Sequence, residues 1–131
     1  MLDQAYAKKT NDHIHGVTSL AMPTGLRARF MTTVGSASAN GTELTTGGGY
    51  TSGTGAPLMP FGASTTASPA VGANNTVVSV TNMPVATING IEIWEATPVR
   101  IELGSLTTPR TTASGDTLSF ASGAVTSALG G

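Results

Sequence analysis

Apolar and polar residues alternate most regularly in two parts of the chain. From Leu26 to Thr33 the sequence reads Leu-Arg-Ala-Arg-Phe-Met-Thr-Thr, with Leu26, Ala28 and Phe30 on one face and Arg27 and Arg29 on the other. From residue 76 onward the pattern recurs in short segments. Thr76 to Thr81 is a strand stopped by Asn82-Met83-Pro84, and Val85 to Ile88 leads to Asn89-Gly90. Next, Ile91 and Ile93 share one face while Glu92 and Trp94 share the other. Val99 to Leu103 repeats the alternation with Arg100 and Glu102 outward. Thr107 to Gly115 reads as a polar turn region carrying Pro109. Asp116 to Phe120 turns Leu118 and Phe120 inward, Ser122-Gly123 reverses the chain, and Ala124 to Leu129 makes a last strand. Short strands every ~8–12 residues predict a mostly-β fold, a small antiparallel β-sandwich of jelly-roll-like kind.

The N-terminus follows another period. Leu2 to Lys9 has good helix-forming composition, with Asp3 in the first turn, where the helix dipole favours an anion. Leu2 and Tyr6 share a face, the pattern fails by Asn11-Asp12, and Gly16 is a natural stop, so a short helix is predicted over residues 2–10. A helix that short is marginal alone, so it should dock on its own domain or on a neighbouring subunit. The predicted organisation is an N-terminal helix or arm over residues 1–25 and one β-sandwich domain over 26–131, with a Gly/Thr/Ser-rich excursion at about 34–75. Within the excursion Asn40-Gly41 is a turn pair. Its one apolar island, Pro57 to Phe61, predicts a long surface segment ordered where Leu58 and Phe61 dock.

Composition changes this picture in one respect. Only 10% of the 131 residues are charged and 5% aromatic, against roughly 25% charged in ordinary soluble proteins. The surface must therefore be covered by Ser, Thr, Gly and Asn or by other protein. The net charge is −1 and the 6 Lys and Arg are scattered, which sets aside a phosphate-driven nucleic-acid binder. No Cys is present, so disulfides and thiolate metal sites are out. No apolar run follows the N-terminal lysines, which argues against a secretory leader. No stretch approaches the ~20 apolar residues of a membrane span.

Candidate chemistry is thin. His13-Ile14-His15 could present two imidazoles on one strand face, but without a nearby Cys or carboxylate the pair reads as surface or interface histidines. Gly47-Gly48-Gly49 lacks the following Lys-Ser/Thr and helix of a phosphate loop, so it predicts a bulge or a close backbone approach. Glu92, Glu95 and Glu102 could be imagined as a glycosidase carboxylate pair, yet no sugar cleft is indicated, and outward solubilising charges or partners of Arg100 explain them better. No Ser sits in a Gly-x-Ser-x-Gly elbow. The expectation is a protein that is no enzyme and takes no cofactor or metal. Arg27 and Arg29 either meet carboxylates of a neighbour or form a solvated outer face, and the sequence leaves that open.

An ordered set of short motifs adds a resemblance. Gly41-Thr42-Glu43-Leu44 with Gly47-Gly48-Gly49-Tyr50 is followed by Gly90-Ile91-Glu92-Ile93, then by Leu103-Gly104-Ser105-Leu106-Thr107, then by the run from Gly115-Asp116-Thr117-Leu118 through Phe120 to Gly123-Ala124. In order and spacing these resemble a family of small virion structural proteins of tailed phages, described variously as head fibre, capsid decoration or tail fibre proteins. The chain departs from the family pattern in three places. Arg27 and Arg29 replace a Tyr- or Leu-rich first strand, Thr51 stands where an Arg usually follows the Tyr, and Glu95-Ala96-Thr97-Pro98 shortens an aspartate-rich hairpin. Contacts made by those residues in relatives do not carry over. The resemblance implies a non-enzymatic virion protein, with a capsid decoration or cement protein preferred to a tail-tip or tail-fibre protein. Its expected partners are itself, as a homo-oligomer with a trimer preferred, and the major capsid protein or tail proteins. A carbohydrate- or receptor-binding module using Trp94 is the alternative from another class. Candidate contact residues are Leu2, Tyr6, His13, His15, Arg27, Arg29, Tyr50, Leu58, Phe61 and Trp94.

Overall fold

The structure, a computed structural model describing residues 1–129, is built on the two segments of clearest alternation. Arg27–Thr33 (β1) and Ala86–Trp94 (β5) pair antiparallel, with Ala28 opposite Ile93 and Phe30 opposite Ile91. One β1/β5 face therefore carries Ala28, Phe30, Ile91 and Ile93, all buried. Thr42–Glu43 (β2) lies on the outer edge of β1, and Arg100–Thr112 (β6) lies beyond β5, giving the order β2-β1-β5-β6. Two antiparallel ribbons accompany this sheet. Val78–Val80 (β4) pairs with Leu118–Phe120 (β7), and Ala70–Ala73 (β3) pairs with Thr126–Leu129 (β8). Val78, Val80, Leu118 and Phe120 close over the apolar face, with Phe30 5.8 Å from Phe120 and 5.1 Å from Tyr50 between ring centroids. The fold is mostly β and antiparallel with one short N-terminal helix, as the alternation predicts.

Asn89-Gly90 does not turn the chain. β5 runs straight through it, because Asn89 donates its side-chain amide to Thr32 O at 2.7 Å. β6 likewise continues to Thr112 where a polar turn is expected. Ile88 faces Arg110 and Gly90 faces Ser105, so residues 106–109 form a bulge opposite Asn89 alone, with Leu106 packed against the core. Pro109 is tolerated there because the bulge needs no ladder N–H from it. Thr112 then returns to the interior and donates to Pro84 O at 2.6 Å.

The Gly/Thr/Ser-rich excursion is not simply a surface loop. It sends Leu44, Tyr50, Ala56 and Met59 into the core. Residues 57–59 add to the start of β1, Ala28 N–H donating to Pro57 O at 2.9 Å and Met59 N–H to Leu26 O at 2.8 Å. That pairing faces Met59 inward and leaves Leu58 56% exposed, so Leu58 does not dock as expected, whereas Phe61 is half-buried against the core. The triple glycine makes the close approach its composition predicts: a Cβ at Gly48 or Gly49 would lie 2.2 or 2.0 Å from the carbonyl oxygen of Asn82 or Thr81.

The helix, α1, spans Gln4–Ile14, further along the chain than residues 2–10. Asp3 is its N-cap, accepting from Ala5 and Tyr6 N–H at 2.9 and 3.2 Å, and not a first-turn residue. Gly16, at φ +70°, ends it. Residues 1–3 are extended instead. Leu2 bridges to Glu102, and Met1 exchanges hydrogen bonds of 2.9 Å with Leu103. The arm thus adds itself to the β6 edge of its own domain.

Candidate functional site

The polar groups of the β1/β5/β6 sheet gather on the face opposite the aromatic core. Register places Arg29 opposite Glu92, Arg27 opposite Trp94, and Trp94 opposite Arg100. Plain alternation would put Arg100 and Glu102 on one outward face, but the structure separates them. Ile93 pairs with Glu102 while Trp94 pairs with Arg100, leaving Ile101 as the extra residue of a bulge. A one-residue bulge re-aims everything beyond it, and here it turns Arg100 onto the face of Glu92. Neither Glu92 nor Arg100 points outward. They are 1% and 4% exposed.

Arg100 uses all its donors. Its Nε and Nη2 donate to Asp3 Oδ2 at 2.9 and 2.7 Å, Nη2 to Ser36 O at 2.8 Å and Ala37 O at 3.2 Å, and Nη1 to Ala39 O and Glu92 Oε1, both at 3.0 Å. Glu92 is equally satisfied, since its Oε1 also accepts Gly41 N–H and its Oε2 accepts the Trp94 indole N–H, each at 3.0 Å. A buried ion pair is tolerable only when its remaining protons and lone pairs are bonded, and this one meets that condition. Burial alone would push the Asp3 carboxyl up, but Arg100 and the Tyr6 and Ala5 amides outweigh it and hold the group below its ordinary value. The cluster ties four distant segments together: the arm at Asp3, the 36–41 loop, β5 and β6.

Next to it, the Arg29 guanidinium stacks 3.8 Å from the Trp94 ring centroid and lies 3.6 Å from Glu43 Oε2. Its Nε is buried without an acceptor, a deficit that stacking on the indole partly offsets. The sequence left open whether Arg29 meets a carboxylate, and it meets one of its own chain. Arg27 donates to Ala56 O at 2.5 Å. Tyr50 is 1% exposed. Its hydroxyl accepts Phe30 N–H at 3.0 Å and donates to Glu43 Oε1 at 2.8 Å, filling a gap in the β1 edge ladder. Burial, foremost, pushes the Tyr50 pKa well up.

The other candidates fall apart in space. Tyr6 is buried and Leu2 half-buried in the chain's own arm seat. His13 and His15 sit at the helix end, where His13 Nδ1 accepts Leu20 N–H at 3.1 Å and His15 Nδ1 lies 2.8 Å from Asn11 O. They share no strand face. Among the described residues no group of three His, Cys, Asp or Glu could hold a metal ion, and no helix is long and apolar enough to cross a membrane. A groove of about 420 Å³ runs between β6 and residues 124–128, and another of about 350 Å³ is lined by Leu2, Tyr6, Leu26, Phe61, Ile93 and Ile101. Neither contains a histidine or a pair of carboxylates. Among the exposed large apolar side chains, Ile14, Val17 and Met22, at 69, 71 and 85%, fall together in sequence where the helix ends and the link to β1 begins.

Sequence reading offered Glu92 as a partner of Arg100, which the structure pairs at 3.0 Å, but it set both outward and missed their burial and the part of Asp3. The one signal available was the scarcity of charge, since in so neutral a chain each carboxylate and guanidinium has a high chance of being used. No protein-family model, no curated protein and no solved structure matches this chain.

Proposed function

We propose that the chain is a non-enzymatic bacteriophage virion structural protein that assembles as a homo-oligomer and decorates or cements the outer face of the capsid. The observation that carries the reading is where the chemistry goes. The buried charges serve the chain's own architecture, while three exposed apolar side chains, Ile14, Val17 and Met22, lie at the end of α1 and on the link to β1, outside the core. Exposed apolar side chains gathered in one segment of a charge-poor surface suit a contact region. The resemblance of the ordered motifs to those of small virion proteins supports the same reading. Gly41 to Leu44 sits at the β1 edge, Gly90 to Ile93 in the central strand β5, and Leu118 to Phe120 in the lid of the core.

A tail-tip position competes within this reading, and copy number separates the two. A decoration protein is expected in hundreds of copies per particle and a tail-tip protein in a few, so locating the chain in images of purified particles decides between them. Finding it in neither head nor tail overturns the proposal. Trp94 is poorly disposed to stack on a sugar, since Arg29 covers a ring face and Glu92 holds the indole N–H.

A further inference from the structure

The chain holds two Asn-Gly pairs, Asn40-Gly41 and Asn89-Gly90, and the structure treats them oppositely. Asn89 lies inside β5 with its amide tied to Thr32 O at 2.7 Å. Asn40 is exposed in irregular chain, with no hydrogen bond to its side chain among the described residues. Gly41 must remain glycine, because a Cβ there would lie 2.2 Å from Thr33 O, and a glycine leaves its own nitrogen open to attack a preceding carboxamide. That nitrogen donates its proton to Glu92 Oε1 at 3.0 Å, which polarises the N–H bond that the reaction must break.

We propose that Asn40 is a site of spontaneous self-modification, converting to isoaspartate or aspartate, and that Asn89 is not. The Gly41 nitrogen attacks Asn40 Cγ and forms a C–N bond. The side-chain nitrogen leaves as ammonia, taking up the proton lost from the Gly41 nitrogen, and a cyclic imide remains. Water then opens the imide at either carbonyl. Nothing is oxidised or reduced. The consequence falls on the buried cluster, because Asn40 lies between Ala39, whose carbonyl accepts from Arg100, and Gly41, whose N–H donates to Glu92. The imide removes the Gly41 proton and with it that hydrogen bond, and isoaspartate adds a main-chain carbon between the two anchors. Modification therefore loosens the 36–41 loop from Arg100, at a time set by the age of the molecule and independently of where the protein is placed.

The test is prolonged incubation of the full-length folded protein at mildly alkaline pH, with peptide mapping of both sites by mass and by isoaspartate-specific methylation. A parallel sample is held unfolded in urea, where the two dipeptides should react at similar rates. In the folded protein Asn40 should convert roughly tenfold or more faster than Asn89, the margin set by the cost of opening a hydrogen-bonded strand. Asn40→Gln should abolish the faster conversion, Asn89→Gln should leave it unchanged, and amide exchange over residues 36–41 should rise in the aged protein. Equal rates in the folded chain, a faster Asn89, or an Asn40 that stays intact while the urea sample converts would each overturn the proposal.

Discussion

Arg100 concentrates more of the chain's polar energetics than any other side chain described. Removing it leaves Glu92 buried and Asp3 half-buried, each charged and without its guanidinium, and an uncompensated buried charge costs about 3–5 kcal/mol. Arg100→Ala should lower the urea midpoint by that equivalent, a large share of the ~5–15 kcal/mol of a typical domain. Replacing both ends of the innermost pair, Arg100→Met with Glu92→Met, should cost less than the sum of the single changes, because the uncompensated charge goes with its partner. Additive losses would mean that the pair is not coupled. Tyr50 acts at the same scale through a hydroxyl. Tyr50→Phe leaves Phe30 N–H without its acceptor and should cost about 1–3 kcal/mol. Because the phenol's folded pKa is raised, its contribution is complete below the unfolded value of about 10 and is lost as pH climbs through the folded one. Alkaline titration of stability should therefore fall above roughly pH 10, and less steeply for Tyr50→Phe.

The arm, Met1 to Ile14, is the element whose attachment is easiest to undo. It is held by the extended residues 1–3 bonded along the β6 edge, by the burial of Tyr6 and by Asp3, which caps α1 and pairs with Arg100 at once. Asp3→Ala should cost at least the ~1 kcal/mol of an N-cap, with amide exchange rising first over α1. The Asp3 pKa is lowered from its ordinary 3.8, so its stabilisation is present above that value and is lost as pH falls through the folded pKa. The acid limb of arm exchange should flatten in Asp3→Asn. The elements themselves were largely legible in the sequence. Alternation placed β1, the core half of β5 and β7, and glycine placed the stop of α1. The Glu92–Arg100 pairing was open to sequence reading, but its burial and its link to Asp3 were not, for a definite reason. Alternation says which residues share a face, but not which face another segment will cover. Here the cover is the 36–41 loop, which meets Arg100 through backbone carbonyls, and a carbonyl carries no sequence signature. The Ile101 bulge then moved Arg100 off the face that period two assigns it.

At the scale of the whole molecule, the buried Glu92–Arg100 pair and the few exposed large apolar side chains give surface substitutions a readable meaning. Ile14, Val17 and Met22 are exposed and make no part of the core, so replacing them should change folding stability by no more than about 0.5 kcal/mol. If the linker is a contact surface between copies or with a shell, Val17→Lys with Met22→Lys should leave the melting temperature unchanged while lowering the assembled mass in solution or occupancy on the particle. Substitutions at Val77 or Val85, which are also exposed but lie on the approaches to β4 and β5, supply the control for general loss of apolar surface. An assembly equally weakened by both pairs would assign the effect to hydrophobicity at large. An assembly indifferent to the linker pair would remove the linker as the contact. Loss confined to Val17 and Met22 would tie assembly to the segment that joins the arm to the sheet. Loosening the arm through Asp3 would then weaken assembly as well, and the double change Asp3→Ala with Val17→Lys would be no worse than the more damaging single one.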